Sequence, residues 1–137
     1  MALLPLLLTA AAPPPPPTVE VSVTGLRSDK GQVLVCLTPN RKAFPDCSKD
    51  AGSVRMAVKA ADAGHFAVHA PAAGTYAIAV VHDENGNNKL DKAIFLPKEG
   101  FGFSRNPTIT VGPPSFKSAS FAVAGDMRQS IRMKYML

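Results

Sequence analysis

Apolar and polar residues alternate through most of the chain after residue 17. Val19, Val21 and Val23 are separated by single polar residues, the two-residue period of a half-buried β-strand. The same pattern recurs in short segments with turn residues between them, and the segment at 32–37 is apolar on both faces, as in a central strand. The predicted strands lie at residues 19–23, 32–37, 54–58, 66–68, 76–82, 108–111, 118–123 and 130–135.

These segments predict an all-β protein. The chain has 10 glycines and 13 prolines, which suits many turns, and no segment has the period of a long helix. Seven or eight short strands with frequent turns are typical of an antiparallel β-sandwich. The length of 137 residues is enough for one domain with one core.

The first 17 residues have a different composition from the rest. Residues 1–12 are apolar and end in alanines, as in the central and cleavage regions of a secretory signal. Residues 13–17 are five prolines, which form a stiff spacer. We therefore expect the folded domain to span residues 18–137, with export to the periplasm or outside the cell. No segment is long and apolar enough to predict a transmembrane span.

Cys36 and Cys47 are the two cysteines of the chain. In an oxidising compartment two cysteines usually pair, which predicts a disulfide, and two buried free thiols are the alternative. The formal net charge of +5 is spread along the chain without interleaved aromatic residues. We therefore expect no nucleic-acid binding.

Oxygen-bearing side chains recur at alternate positions after the predicted fifth strand. Taking Asp83 as position 1 of a loop, Asn85 and Asn87 occupy positions 3 and 5, and Asp91 occupies position 9. Calcium loops space their ligands in this way and add a backbone carbonyl at position 7, here that of Lys89.

The loop lacks the usual glutamate at position 12, where Ile94 stands. Glu99 is the candidate for the missing carboxylate, and calcium is the candidate cofactor, bound with Kd of about 10⁻⁴–10⁻³ M. The alternative is a hydrogen-bonded turn, because Asn85-Gly86 is a strong turn signal. Phe101 and Phe103 follow, either as an exposed ligand surface or as part of the core.

Residues 80–91, with the segment Pro97-Lys98-Glu99-Gly100-Phe101-Gly102-Phe103-Ser104, resemble a bacterial family of small exported proteins filed as domain of unknown function 2141. The likeness runs from Val19 to Tyr135. It implies a prealbumin-like (transthyretin-like) β-sandwich of Greek-key type and export, and it implies no activity. The prealbumin-like hydrolases of purine-derived rings end in Tyr-Arg-Gly-Ser, whereas this chain ends in Lys134-Tyr135-Met136-Leu137.

The functional hypothesis is a non-enzymatic exported module that binds an unknown protein or envelope component. The chain has no Gly-x-Ser-x-Gly elbow, zinc helix or P-loop. The alternative is an envelope hydrolase that uses His82 with Asp83 or Glu99 as its base. That alternative requires His82 to line a cleft.

Overall fold

Eight strands in two sheets form the regular structure of the described part of the chain. The computed structural model describes residues 2–9, 15–87, 99–109 and 112–136. The strands are β1 (Thr18–Thr24), β2 (Gln32–Thr38), β3 (Val54–Lys59), β4 (Phe66–His69), β5 (Gly74–Asp83), β6 (Gly100–Phe103), β7 (Phe121–Val123) and β8 (Met127–Arg132). A 3₁₀ turn at Ala60–Asp62 and one short helix, α1 (Phe116–Ala119), accompany them.

The two sheets confirm the predicted β-sandwich. One sheet has the order β4-β1-β8, and the other has the order β3-β2-β5-β6, with β7 paired to the first residues of β5. All the strand pairs are antiparallel except β1 and β8, which run parallel. β1 and β8 are separated by most of the domain, so no hairpin connection requires them to be antiparallel.

The chain differs from the predicted elements in its last third. Residues 108 and 109 lie outside any strand, so the predicted strand at 108–111 is wrong for them, and residues 110 and 111 lie outside the described part. Residues 116–119 form α1 because the Ser115 hydroxyl accepts a hydrogen bond from the Ser118 amide at 3.2 Å, a helix N-cap. β6 lies in a segment predicted to be a loop.

The main core fills the space between the sheets. Its side chains come from alternate positions, as in β1, where Val19, Val21 and Val23 are buried and the residues between them are partly exposed. β2 and β5 contribute Val33, Val35, Leu37, Tyr76, Ile78 and Val80. The alternation seen in the sequence therefore sets which face of each strand is buried.

A second cluster, here called the outer core, covers the opposite face of the five-stranded sheet. Its strand residues are Leu34, Cys36, Ala77, Ala79, Val81, Phe101 and Phe103. The loop at residues 39–53 covers them with Phe44 and Cys47, and α1 covers them with Phe116 and Ala119. The Phe44 ring packs edge-on, with its centroid 5.8 Å from that of Phe103. β5 is therefore buried on both faces, which explains its nearly unbroken apolar sequence.

The fold is anchored near its first strand. The Pro17 carbonyl accepts a hydrogen bond from the Ala70 amide at 3.0 Å, and the Thr18 amide donates to Asp126 Oδ1 at 2.8 Å.

Residues 2–9 are exposed, including their five leucines. Within the described ranges, no helix has the length and apolar character needed to cross a membrane.

Candidate functional site

Two acidic residues flank the last residue pair of β5 and β6. These strands pair as far as His82 opposite Gly100, and Asp83 and Glu99 are the next residues beyond that pair. The Asp83 charge acts on the Glu99 carboxylate, so the two groups are electrostatically coupled. We call Asp83 and Glu99 the acid pair. They continue the rows of the outer core, so the pair borders an apolar cluster.

Asp83 is buried, and its carboxylate accepts hydrogen bonds from Gln32 and Asn87. Gln32 Nε2 donates to Oδ2 at 3.0 Å from β2, and the Asn87 amide donates to Oδ1 at 3.1 Å. The Asn87 amide also lies 3.3 Å from Asn85 Oδ1. The first residues of the predicted calcium loop thus form a hydrogen-bonded turn. A carboxylate oxygen accepts more than one contact, so these bonds do not exclude a cation.

Glu99 has an unsatisfied carboxylate oxygen. Glu99 is only 7% exposed. Its carboxylate oxygen Oε2 is buried and has no hydrogen-bond partner among the described residues. Burial raises the pKa of Glu99 above its usual 4.5, and the negative charges of Asp83 and Glu84 raise it further. Glu99 is therefore a buried acid beside other acids, and a bound proton or a cation would remove the unfavourable interaction.

Glu84, the next residue after Asp83, is engaged elsewhere. Its carboxylate accepts hydrogen bonds from Arg27 Nε at 2.7 Å and from the Ser28 hydroxyl at 3.1 Å. Burial raises its pKa, but the Arg27 and Ser28 hydrogen bonds and the Arg27 charge outweigh that effect, so the pKa lies below the usual value. The side chain is thus committed to the loop between β1 and β2, which makes Glu84 a matched control for the acid pair.

The remaining predicted calcium ligands lie outside the described residues. These are Lys89, whose carbonyl was expected at position 7, and Asp91 at position 9. Across residues 2–9, 15–87, 99–109 and 112–136, no group of three or more histidine, cysteine or acidic side chains is placed to hold a metal ion. The described donors are two carboxylates, from Asp83 and Glu99, and two amide side chains, from Asn85 and Asn87.

His82 is fully buried, and both of its ring nitrogens have partners. Nε2 lies 2.8 Å from the Lys30 carbonyl, and Nδ1 lies 2.8 Å from the Tyr135 hydroxyl. A carbonyl only accepts, so Nε2 carries a hydrogen, and in the neutral ring Nδ1 then accepts from Tyr135. The Tyr135 hydroxyl in turn accepts from the Arg27 amide at 3.1 Å. The geometry is that of a structural histidine rather than a base at the surface of a cleft.

Phe101 and Phe103 are core residues, so of the two alternatives for them the structure agrees with the core and not with an exposed ligand surface. They are 3% and 2% exposed and belong to the outer core. Alternate residues of β6 point to opposite faces. The glycines therefore face the other way, where a Cβ at Gly100 would overlap the Tyr135 ring and a Cβ at Gly102 would crowd Ile131. One face of β6 therefore carries only glycines, because Tyr135 and Ile131 pack closely against it. The other face carries the two phenylalanines of the outer core.

Cys36 and Cys47 lie at disulfide-bonding distance, with their Cα atoms 5.6 Å apart. Cys36 belongs to β2, and Cys47 belongs to the covering loop at residues 39–53. Both side chains are buried in the outer core. The pairing predicted from the sequence is supported, and it would attach the covering loop to the sheet.

Several residues that contact the site were not predicted from the sequence, among them Gln32, Tyr135 and Arg27. Gln32 contacts Asp83, while Tyr135 and Arg27 contact His82 and Glu84, respectively. Each of these contacts joins residues more than 50 positions apart in the chain. The one available signal was Gln32, a polar residue at the start of an otherwise apolar strand.

Together these features define a small all-β sandwich with an additional apolar layer and an acid pair at one end. Residues 21–132 match the family model described as "Uncharacterized protein conserved in bacteria (DUF2141)". The chain belongs to this family, which confirms the resemblance found in the sequence. No curated protein and no solved structure matches the chain. The likeness to prealbumin stays a prediction.

Proposed function

We propose that the protein is an exported, non-enzymatic binding module whose acid-pair end is stabilised by calcium. The observation that carries the calcium proposal is the buried Glu99 oxygen, which has no hydrogen-bond partner among the described residues and lies within reach of the Asp83 charge. Calcium is the chosen cation because the donors at this end are oxygen atoms of carboxylate and amide groups, which are the ligands that calcium takes.

The acid pair carries two like charges. The negative charge of Asp83 acts on Glu99, and a buried carboxylate oxygen without a partner adds a desolvation cost. The Arg27 guanidinium is engaged with Glu84. A divalent cation at the acid pair would neutralise both charges and satisfy Glu99 Oε2, so it would bind the folded state in preference to the unfolded chain.

Two features support export. Cys36 and Cys47 are at disulfide-bonding distance, and structural disulfides persist in oxidising compartments. The leucine-rich residues 2–9 are exposed, as expected for a signal segment that is not part of the domain. We infer that the mature domain acts in the periplasm or outside the cell, where millimolar calcium sites are typical of extracellular modules.

The burial of His82 supports a binding role over the hydrolase alternative. A general base needs a lone pair within reach of substrate, and both His82 nitrogens are occupied by Lys30 and Tyr135. Asp83 and Glu99 continue the rows of the outer core beyond Val81 and Phe101. The binding partner would be a protein or another envelope component, recognised by a surface other than Phe101 and Phe103.

Thermal unfolding with and without calcium tests the proposal. At a calcium concentration of ten times Kd, binding stabilises the folded state by about 1.4 kcal/mol. For a domain of this size that corresponds to a rise in Tm of about 4–8 °C. Circular dichroism would be followed in chelator and in calcium for the wild type and for Glu99→Gln, Asp83→Asn and Glu84→Gln.

The variants have distinct expected signatures. Glu99→Gln should raise the Tm in chelator, because it removes the like-charge interaction, and should lose the calcium response. Asp83→Asn should lose the calcium response as well. Glu84→Gln should lower the Tm slightly by breaking the Arg27 ion pair while keeping the response. A calcium response retained by Glu99→Gln, or none in the wild type, would show that calcium does not act at the acid pair.

A further inference from the structure

The turn after β5 exposes an asparagine followed by glycine. Asn85 and Gly86 are both exposed, and among the described residues other than its chain neighbours none has an atom within 4 Å of the position that a Cβ on Gly86 would take. The Gly86 amide donates to the Asp83 carbonyl at 3.4 Å, beyond the usual range for a backbone hydrogen bond. The Asn87 amide donates a hydrogen bond to the Asn85 side-chain oxygen at 3.3 Å. This hydrogen bond polarises the side-chain carbonyl of Asn85 and makes its carbon more electrophilic.

This arrangement favours an intramolecular reaction. The Gly86 backbone nitrogen loses its proton and attacks the carboxamide carbon of Asn85, forming a five-membered succinimide as ammonia leaves. Water then adds to one of the two succinimide carbonyls and opens the ring, giving aspartate or isoaspartate. The net change is one water consumed and one ammonia released, with no oxidant or reductant. Glycine presents no side chain to hinder the attacking nitrogen.

We propose that Asn85 is a site of spontaneous deamidation in the folded protein. The reaction places a carboxyl group at residue 85, two residues after Asp83. Both products add one negative charge to the loop. If calcium binds as proposed above, the aspartate form supplies a third carboxylate and binds calcium more tightly, and this consequence alone rests on the proposed function.

Other asparagines of the described chain provide internal controls. Asn106 precedes Pro107, whose nitrogen carries no hydrogen and cannot act as the nucleophile. Asn106 is also held at both ends of its amide, donating to the Ser130 carbonyl at 3.1 Å and accepting from the Arg132 amide at 2.8 Å. Asn40 precedes Arg41, whose side chain hinders the attack.

The full chain would be incubated in its native state at mildly alkaline pH and sampled over days. Peptide mass mapping and an isoaspartate methylation assay would follow each asparagine. The expected result is conversion at Asn85 several-fold faster than at Asn40, no conversion at Asn106, and a corresponding acidic charge variant. Asn85→Gln, which would have to close a larger ring, should not form that variant.

The proposal is overturned if Asn85 stays intact in the native chain under conditions that deamidate it in the urea-unfolded chain. It is also overturned if Asn40 converts as fast as Asn85 in the native chain. Calcium titration of Asn85→Asp against wild type is a separate arm. Deamidation at Asn85 without tighter calcium binding by Asn85→Asp keeps the modification site and removes its link to the cation. Tighter binding by Asn85→Asp without deamidation supports the cation site alone.

Discussion

Replacing Tyr135 with phenylalanine removes one hydroxyl from the contact that holds His82. The ring remains, so its packing over Gly100 and beneath the Arg27 guanidinium, 4.6 Å from the ring centroid, is retained. What is lost is the 2.8 Å hydrogen bond to His82 Nδ1 and the 3.1 Å bond from the Arg27 amide. The variant therefore isolates a polar contribution from a packing contribution.

The expected loss of stability in Tyr135→Phe depends on how deeply each former hydrogen-bond partner is buried. The Arg27 amide is exposed and regains water, so its loss costs little. His82 is fully buried, and a buried polar group left without a partner costs about 1–3 kcal/mol. We expect Tyr135→Phe to lower the free energy of unfolding by about 2 kcal/mol and the Tm by about 6–12 °C.

The chain offers a matched control in its other tyrosine. The Tyr76 hydroxyl donates to the Ala72 carbonyl at 2.8 Å, and Ala72 is exposed, so water replaces that bond in Tyr76→Phe. We expect a cost of about 0.5–1.5 kcal/mol there. Urea unfolding followed by circular dichroism measures both variants. Equal, small losses in Tyr135→Phe and Tyr76→Phe would refute the structural role assigned to His82.

Further predictions concern packing, the disulfide and pH. Gly100→Ala should lower stability by about 1–3 kcal/mol, because its methyl group has no space against the aromatic ring above it, whereas Gly125→Ala, with nothing within 4 Å, should be near neutral in the same unfolding assay. Breaking the Cys36–Cys47 link with reductant should cost about 3 kcal/mol in the chain-entropy model, and intact-mass analysis with alkylation before reduction should find no free thiols. Because burial and neighbouring negative charges raise the pKa of Glu99 above 4.5, the folded state is free of this like-charge and desolvation penalty below pH 4.5 and loses stability as pH rises through the raised pKa. In chelator, the difference in Tm between Glu99→Gln and wild type should therefore shrink as pH falls toward 4.5.

The alternation of apolar residues predicted most strands because burial of one face imposes a two-residue period. It succeeded for β1, where valines mark the buried face, whereas β2 was predicted as a central strand because its residues are apolar on both faces. It failed for β6, since Gly-Phe-Gly-Phe has the composition of a loop. The glycines there are required by the close approach of Tyr135 and Ile131, which are distant in sequence.

The sequence predicted only those site residues that the spacing within one loop identifies. Asp83 was identified by the spacing of the loop, and Glu99 was chosen because the loop lacked a carboxylate; both lie just beyond the last residue pair of β5 and β6. The contact between Gln32 and Asp83 and that between Tyr135 and His82 depend on how the strands are ordered. The burial of Phe101 and Phe103 depends on the covering loop, whose position over the sheet no local pattern indicates.

Calorimetric titration of the chelator-treated full chain measures directly whether the acid pair binds calcium. We expect one calcium per chain with Kd of about 10⁻⁴–10⁻³ M. We also expect loss of binding in Glu99→Gln, with Glu84→Gln unchanged. Absence of binding to the wild type at millimolar calcium, or equal binding by wild type and Glu99→Gln, would contradict this expectation.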